Sequence, residues 1–283
     1  MMRIRIFLNW DTPENIKHHM EIEFNLHTVP GYNSKFVLTS EEDYTHAIVI
    51  NTFMPTLTIP KERVVGFAWE PNPLLGLHPR FVDYAKRNIG RYLIGEKGSL
   101  PHPFEETYAF LNHSPMQPIV PKTKRCSIIF SQKKFMEGHH YRKHLVEAIL
   151  RTNLPIDIWG KGCDTIAIKD PRLKGGFVQH SVLPYQSYEF HICIENSCLN
   201  HYFSEKIVNA LLSNCTPIYY GCKKIQQYFP NEVILLCGDV KKDLELIATC
   251  IQYPELYRTY IDPEDVHKKV NPFFHLDTLF MNF

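Results

Sequence analysis

A chain of 283 residues is longer than one typical domain and long enough for two. Its 44% hydrophobic content can fill a packed core in each half, and a formal net charge of +1 excludes a global field drawing nucleic acid or an acidic membrane surface. No apolar run reaches the roughly 18 residues of a helical membrane span, and the start, MMRIRIFLNW, lacks the apolar centre and small-residue cleavage site of a secretory leader.

Residues 3–8 (RIRIFL), 46–50 (HAIVI) and 63–68 (RVVGFA) read as strands. The first alternates, whereas HAIVI is apolar almost throughout, as expected of a buried parallel strand. Residues 79–87 read as a helix with Pro79 in its first turn, and 91–95 (RYLIG) as another strand. Residues 99–123 carry Pro101, Pro103, Pro115, Pro118 and Pro121 with little apolar periodicity, which marks a connector. The domain boundary is placed within 115–123, giving domains 1–120 and 121–283.

The alternation restarts with a strand at 126–130 (CSIIF), a helix at 139–151 and a strand at 156–160 (IDIWG). HICIE and TPIYYG, at 191–195 and 216–221, flank a helix that begins near residue 205. A strand at 233–237, a helix at 240–252 and a partly helical 263–283, interrupted at Pro272, complete the chain. The pattern predicts an α/β protein of two Rossmann-like halves, each with a mainly parallel sheet, and an active site in a cleft between them. The eight cysteines all follow residue 125 and form no C-x-x-C pair, the usage of a reduced, cytoplasmic protein.

The chemistry concentrates after HICIE. Glu195, Asn196 and Ser197 stand at the carboxyl end of a buried strand, where open α/β sheets bind ligands. Ser204 is a good N-cap for the run Ile207, Ala210, Leu211. Lys206 falls in the first helical turn, where the dipole disfavours a cation. Either it is a solvated lysine, or it faces an anion such as a phosphate held by the helix N-terminus. Asn196 and Ser197 are either turn residues or hydroxyl-binding groups; Tyr202 offers a ring and a hydroxyl to a sugar or base. Arg142, early in the helix after CSIIF and near Lys133, Lys134 and Lys143, belongs to a solvated basic face or forks onto a diphosphate. Neither a P-loop nor a strand-linked G-x-G-x-x-G occurs, and H-E-x-x-H and Asp-x-Asp are both absent. The adjacent pairs His18–His19 and His139–His140 lack metal-ligand spacing, and no metal site is expected.

These residues resemble a signature. Tyr188 to Gly221 reads YEFHICIENSCLNHYFSEKIVNALLSNCTPIYYG and is similar to the α1,3-fucosyltransferase pattern, ENS followed by Y-x-TEK, N-A and P-x-x-x-G. Glu195-Asn196-Ser197, Tyr202, Glu205-Lys206, Ala210, Pro217 and Gly221 fall into place without gaps, with Ser204 for the usual threonine. IDIWGKGC at 156–163 and FAWEPNP at 67–73 also resemble segments of this glycosyltransferase family 10, so that about half the chain is covered well. The resemblance implies a GT-B arrangement of two Rossmann-like domains. The C-terminal domain would bind GDP-fucose and the N-terminal one an oligosaccharide or glycoconjugate acceptor. Arg142 and Lys206 would neutralise the diphosphate, Glu205 would contact donor hydroxyls, and Glu195, Asn196 and Tyr202 would line the donor pocket. No cofactor beyond the donor substrate is implied.

An inverting, metal-independent transfer needs fixed cations for the leaving group and a carboxylate to remove the acceptor proton. Glu70 is the candidate base, directly after the strand VVGFA and before Pro71 and Pro73; otherwise it is a surface glutamate in a turn. Trp10 and Trp69 are either acceptor-stacking faces or packing residues. Three rival readings remain: a non-catalytic nucleotide-sugar or glycan-binding protein of the same fold, a transferase using another GDP-sugar, and an unrelated α/β enzyme using another nucleotide.

Overall fold

Both sheets in the computed structural model, which describes residues 1–178 and 181–280, have six strands paired in parallel. Each sheet organises one of two compact units. The first unit holds Met1–Pro115, Leu199–Tyr202 and the C-terminal segment from Lys268; the second holds Met116–Cys198 and Phe203–His267. Two short pieces thus return to the first unit after the chain has entered the second.

The first unit runs β1 (Met2–Phe7), α1 (Pro13–Glu23), β2 (Phe36–Leu38), β3 (His46–Ile50), β4 (Val64–Phe67), α2 (Asn72–Leu75), α3 (Pro79–Asn88), β5 (Arg91–Ile94) and β6 (Phe104–Glu106), with sheet order β2-β1-β3-β4-β5-β6. The alternation of RIRIFL does not mean one wet face. β1 lies between β2 and β3, and Ile4, Arg5, Ile6 and Phe7 are all buried. Arg5 is tolerated there because its guanidinium lies over the Phe7 ring at 4.9 Å and pairs with the exposed Glu42 at 2.6 Å. Helix α1 has a thin apolar stripe, Ile16 and Met20 alone being buried, so periodicity gives no clear sign of it. Its start is marked by the N-cap Thr12, whose Oγ1 accepts the Asn15 N–H at 3.3 Å, and by Pro13 at the first position. The proline-rich connector contributes an edge strand, β6, paired with β5.

The second unit runs β7 (Lys124–Ile129), α4 (Glu137–Leu150), β8 (Ile156–Trp159), β9 (Leu173–Gly175), β10 (Tyr188–Ile194), α5 (Glu205–Leu212), β11 (Thr216–Tyr220), β12 (Ile234–Leu235), α6 (Val240–Gln252) and α7 (Pro254–Tyr257). Its sheet order is β12-β11-β10-β7-β8-β9. Ile128, Ile158, Ile192 and Ile218 from the strands pack with Leu145 and Ile149 of α4 and Ile247 of α6. Each such fully buried side chain contributes roughly 1.5–3 kcal/mol. The strand expected at 233–237 shortens to Ile234–Leu235 because it is the sheet edge, where Leu235 is exposed. Helices α8 (Pro263–Val270) and α9 (Leu276–Leu279) follow, and the last three residues of the expected 263–283 segment lie outside the described residues.

Among the described residues no helix is long and apolar enough to cross a membrane. All eight cysteines are free thiols.

Candidate functional site

In the second unit the strand order reverses between β7 and β10. The chain leaves β7 through α4 towards β8 on one side, and leaves β10 through α5 towards β11 on the other. Ligands of open α/β sheets bind at the carboxyl ends of strands at such a switch point. Here the two connections touch. The Gly138 N–H, in the first turn of α4, donates to the Asn196 carbonyl at 3.1 Å. A Cβ at Gly138 would stand 1.8 Å from the Glu195 carbonyl oxygen, so only glycine admits this approach.

Glu195 is fully buried, and its carboxylate is held from two sides of one residue. Its Oε1 accepts the Ser204 N–H at 2.8 Å, and its Oε2 accepts the Ser204 hydroxyl at 2.7 Å. Lys206 Nζ lies 3.5 Å from the same Oε2. Gly221, after β11, gives the Glu195 side chain room: a Cβ there would come within 2.5 Å of Glu195 Cγ. Ser204 is the N-cap of α5, and its Oγ also accepts from Lys206 Nζ at 2.8 Å. Lys206 is paired further with Glu205 at 3.1 Å.

The conflict between Lys206 and the helix dipole is therefore met inside the protein, by two carboxylates. Burial pushes the Lys206 ammonium down, but Glu205 and Glu195 outweigh it and hold its pKa above the ordinary lysine value. Burial pushes Glu205 up, and Lys206 more than offsets this, leaving that carboxyl below its usual range. Ser204→Ala strips both the cap and one Glu195 partner, and is expected to cost about 2 kcal/mol, read as a shift in the denaturant midpoint.

Arg142 is 5% exposed and is not on a solvated face. Its Nη2 donates to the Ile194 carbonyl and, at 3.4 Å, to Asn196 Oδ1. Its Nε and Nη1 donate to no acceptor among the described residues. Burial lowers its pKa, and the negative charge of Glu195 works against that.

His139, three residues before Arg142, is 3% exposed. Its Nδ1 accepts the N–H of Met136, the N-cap of α4, at 3.2 Å. Burial, then the cations Arg142, Lys133 and Lys206, bring its pKa down to about 4, against a smaller upward pull from the Asn196 side chain. A second buried imidazole, His191 on β10, is brought down to about 3 by burial and bonds the Ser127 hydroxyl at 2.7 Å. Both rings are neutral when folded but bind protons in the unfolded chain below its pKa near 6.5. Their contribution is complete above pH 6.5 and falls away as pH drops towards 4 and 3. By pH 5 the loss is on the order of 2 kcal/mol for each. Melting followed from pH 7.5 to 5 should show a falling Tm, with a shallower slope in His191→Asn.

The expected donor residues Arg142, Glu195, Asn196, Glu205 and Lys206 thus all belong to the second unit. Tyr202 does not: Leu199–Tyr202 belongs to the first unit, where the His201 N–H donates to the Gly95 carbonyl at 2.7 Å and Asn200 bonds Glu106 at 2.8 Å. Tyr202 itself is buried.

Glu70 stands exposed in the first unit, three residues beyond the end of β4. The first sheet reverses its order between β1 and β3, and the ends of β1, β3 and β4 carry Trp10, Asn51 and Trp69. Asn51 takes a left-handed φ of 54° and accepts the Trp69 N–H at 2.9 Å through its side chain. Trp69 is a packing residue, buried, with its Nε1 bonded to the Phe110 carbonyl at 3.1 Å. Trp10 is 58% exposed and lies with its ring centroid 6.0 Å from that of Trp69.

His139, Ser204, Gly138 and Gly221 belong to this site beside the expected residues. The signal for His139 was its place three residues after the N-cap, not the spacing of a metal ligand.

Two α/β domains, each built on a parallel six-stranded sheet, are the GT-B glycosyltransferase fold. The family model for the C-terminal region of glycosyltransferase family 10 (fucosyltransferase) matches residues 119–272, and this chain belongs to that family. It is similar to the "Putative fucosyltransferase R654" of Acanthamoeba polyphaga mimivirus, with 28% identity over 178 residues, 60% of this chain and 28% of that protein. It is also similar to a "Putative fucosyltransferase-like protein" of Arabidopsis thaliana, with 26% identity over 146 residues, 52% of this chain and 26% of that protein. The matched region spans little more than a quarter of the length of these curated relatives. A crystal structure of an α1,3-fucosyltransferase with GDP-fucose shares the fold, with a TM-score of 0.56 at 13% identity, covering 99% of this chain and 90% of that one.

Proposed function

We propose that this chain is an inverting, metal-independent glycosyltransferase that moves fucose from GDP-fucose to a hydroxyl of an oligosaccharide or glycoconjugate acceptor. The observation that carries the reading is the pair of cations at the switch point of the second sheet. Arg142 is buried with unused donors, and Lys206 is fixed at a helix N-terminus by Glu195, Ser204 and Glu205. Family membership and the fold shared with an α1,3-fucosyltransferase solved with GDP-fucose support the choice of donor.

In this reading the acceptor oxygen attacks C1 of the sugar from the face opposite the diphosphate. The C1–O bond breaks and its electron pair leaves with GDP. Arg142 and Lys206 stabilise the charge that develops on the diphosphate, without reorganising when the bond breaks. The acceptor proton passes to the carboxylate of Glu70. Glu195 acts one step back, by fixing Ser204 and Lys206. Asn196 and Glu205 are assigned to the donor's hydroxyls and Tyr202 to the donor pocket.

Incubation with GDP-fucose and a panel of oligosaccharides tests this. The expected result is one fucosylated product with the opposite anomeric configuration to the donor, in a yield unchanged by EDTA. A product that keeps the donor's configuration, a requirement for added Mn²⁺, or transfer from GDP-mannose but not GDP-fucose would overturn the corresponding part. GDP binding without turnover on any acceptor would favour a binding protein of the same fold.

A further inference from the structure

His139 has no part in the reading above, yet it is the most conspicuous unsatisfied group at the switch point. Its Nδ1 is occupied as an acceptor, by the Met136 N–H at 3.2 Å. The ring proton therefore sits on Nε2, and that N–H is a donor. Nε2 is buried and makes no hydrogen bond. A buried donor left unmatched costs on the order of 1–3 kcal/mol; inside the fold the side chain that acts on this ring is Asn196, whose Oδ1 also accepts from Arg142 at 3.4 Å, so a further acceptor is expected from outside the fold.

The surroundings specify the acceptor's charge. The ring lies in the field of Arg142, Lys133 and Lys206 and sits in the first turn of the 14-residue helix α4. Arg142 and Lys133, with Lys206 already paired to Glu195 and Glu205, and the helix N-terminus favour an anion. The ring also stays neutral, with its pKa brought down to about 4, so it donates a proton without adding to an already crowded positive field.

We propose that His139 Nε2–H donates a hydrogen bond to a phosphate oxygen of the bound nucleoside diphosphate, beside Arg142, making the first turn of α4 part of the phosphate cradle. This rests on the donor-site reading of the second unit. His139 is then a binding and positioning residue for the leaving group: it offers a neutral donor where charge grows as the sugar bond breaks.

The alternative is that the imidazole serves only as the cap of Met136. Two variants of this chain separate the roles. Gln and Glu at the third helical position can both accept the N-cap N–H, so His139→Gln and His139→Glu both keep the cap. Gln retains an N–H donor for the phosphate, whereas Glu replaces it with a negative charge. In calorimetric titration with GDP, His139→Gln should stay within about threefold of the wild type and His139→Glu should weaken binding at least about thirtyfold, with both melting temperatures near the wild type. Repulsion alone could weaken the Glu variant, so a direct readout accompanies it. In histidine-¹⁵N-labelled wild type, saturating GDP should move the His139 Nε2–H resonance downfield and slow its exchange with water, and saturating guanosine should do neither. An unmoved Nε2–H resonance at saturating GDP, or equal GDP affinity in the Gln and Glu variants, would overturn the proposal and leave the donor site standing. Failure of the wild type to bind GDP would overturn both.

Discussion

Lys206→Met is expected to lower stability by about 3 kcal/mol and to abolish the stabilisation given by GDP. The first effect follows from Glu195. Its side chain is fully buried, and Lys206 Nζ, 3.5 Å away, is the cation that faces it directly. Removing one member of such a pair strands the other charge, at a typical cost of 3–5 kcal/mol; the partial exposure of Lys206 places this case at the lower end. For a chain of this length that is a fall in Tm of about 5 °C. The second effect has a different origin, the loss of a diphosphate cation, and a second substitution separates them. Glu195→Gln combined with Lys206→Met removes both charges and should recover most of the lost stability. It should recover none of the GDP-induced rise in Tm. A double variant that regains the GDP response would show that Lys206 is a structural ion pair and no ligand of the nucleotide.

Glu70→Gln is expected to reduce fucose transfer by about 10²–10⁴-fold, the range for loss of a positioned general base. It should leave the fold and donor binding alone. Glu70 is exposed, beyond the end of β4, and lies in the unit that does not contain Arg142 and Lys206. Surface substitutions of this kind usually change stability by less than about 0.5 kcal/mol. The loss should fall on kcat, with the GDP dissociation constant and Tm unchanged. A variant that transfers fucose at the wild-type rate would remove Glu70 from the mechanism and return it to an ordinary turn glutamate.

The segment from Tyr188 to Gly221 was readable because local rules and sheet topology agree there. A buried strand, a polar turn, a serine cap and an apolar helical run follow in the order that a parallel sheet requires. The buried partner of Lys206, Glu195, was not readable. The helix dipole signals a missing anion, but Glu195 lies eleven positions earlier and reaches it only through the tertiary turn between β10 and α5. Tyr202 shows the same limit: it lies in the loop before α5, yet Leu199–Tyr202 belongs to the other unit. Arg142 looked like one of several lysines and arginines on a basic helix, and only burial separates it from them. In the first half, short strands such as β2 and β6 and the weakly amphipathic α1 carry too few apolar positions for periodicity to resolve.

The central claim is that the switch point between β7 and β10 binds the nucleotide. Amide hydrogen exchange with and without saturating GDP measures this directly. Protection is expected in two separate stretches, 131–142 from the end of β7 into α4 and 195–206 from the end of β10 into α5. Protection confined to other parts of the chain, with both of these stretches exchanging as in the free protein, would contradict it.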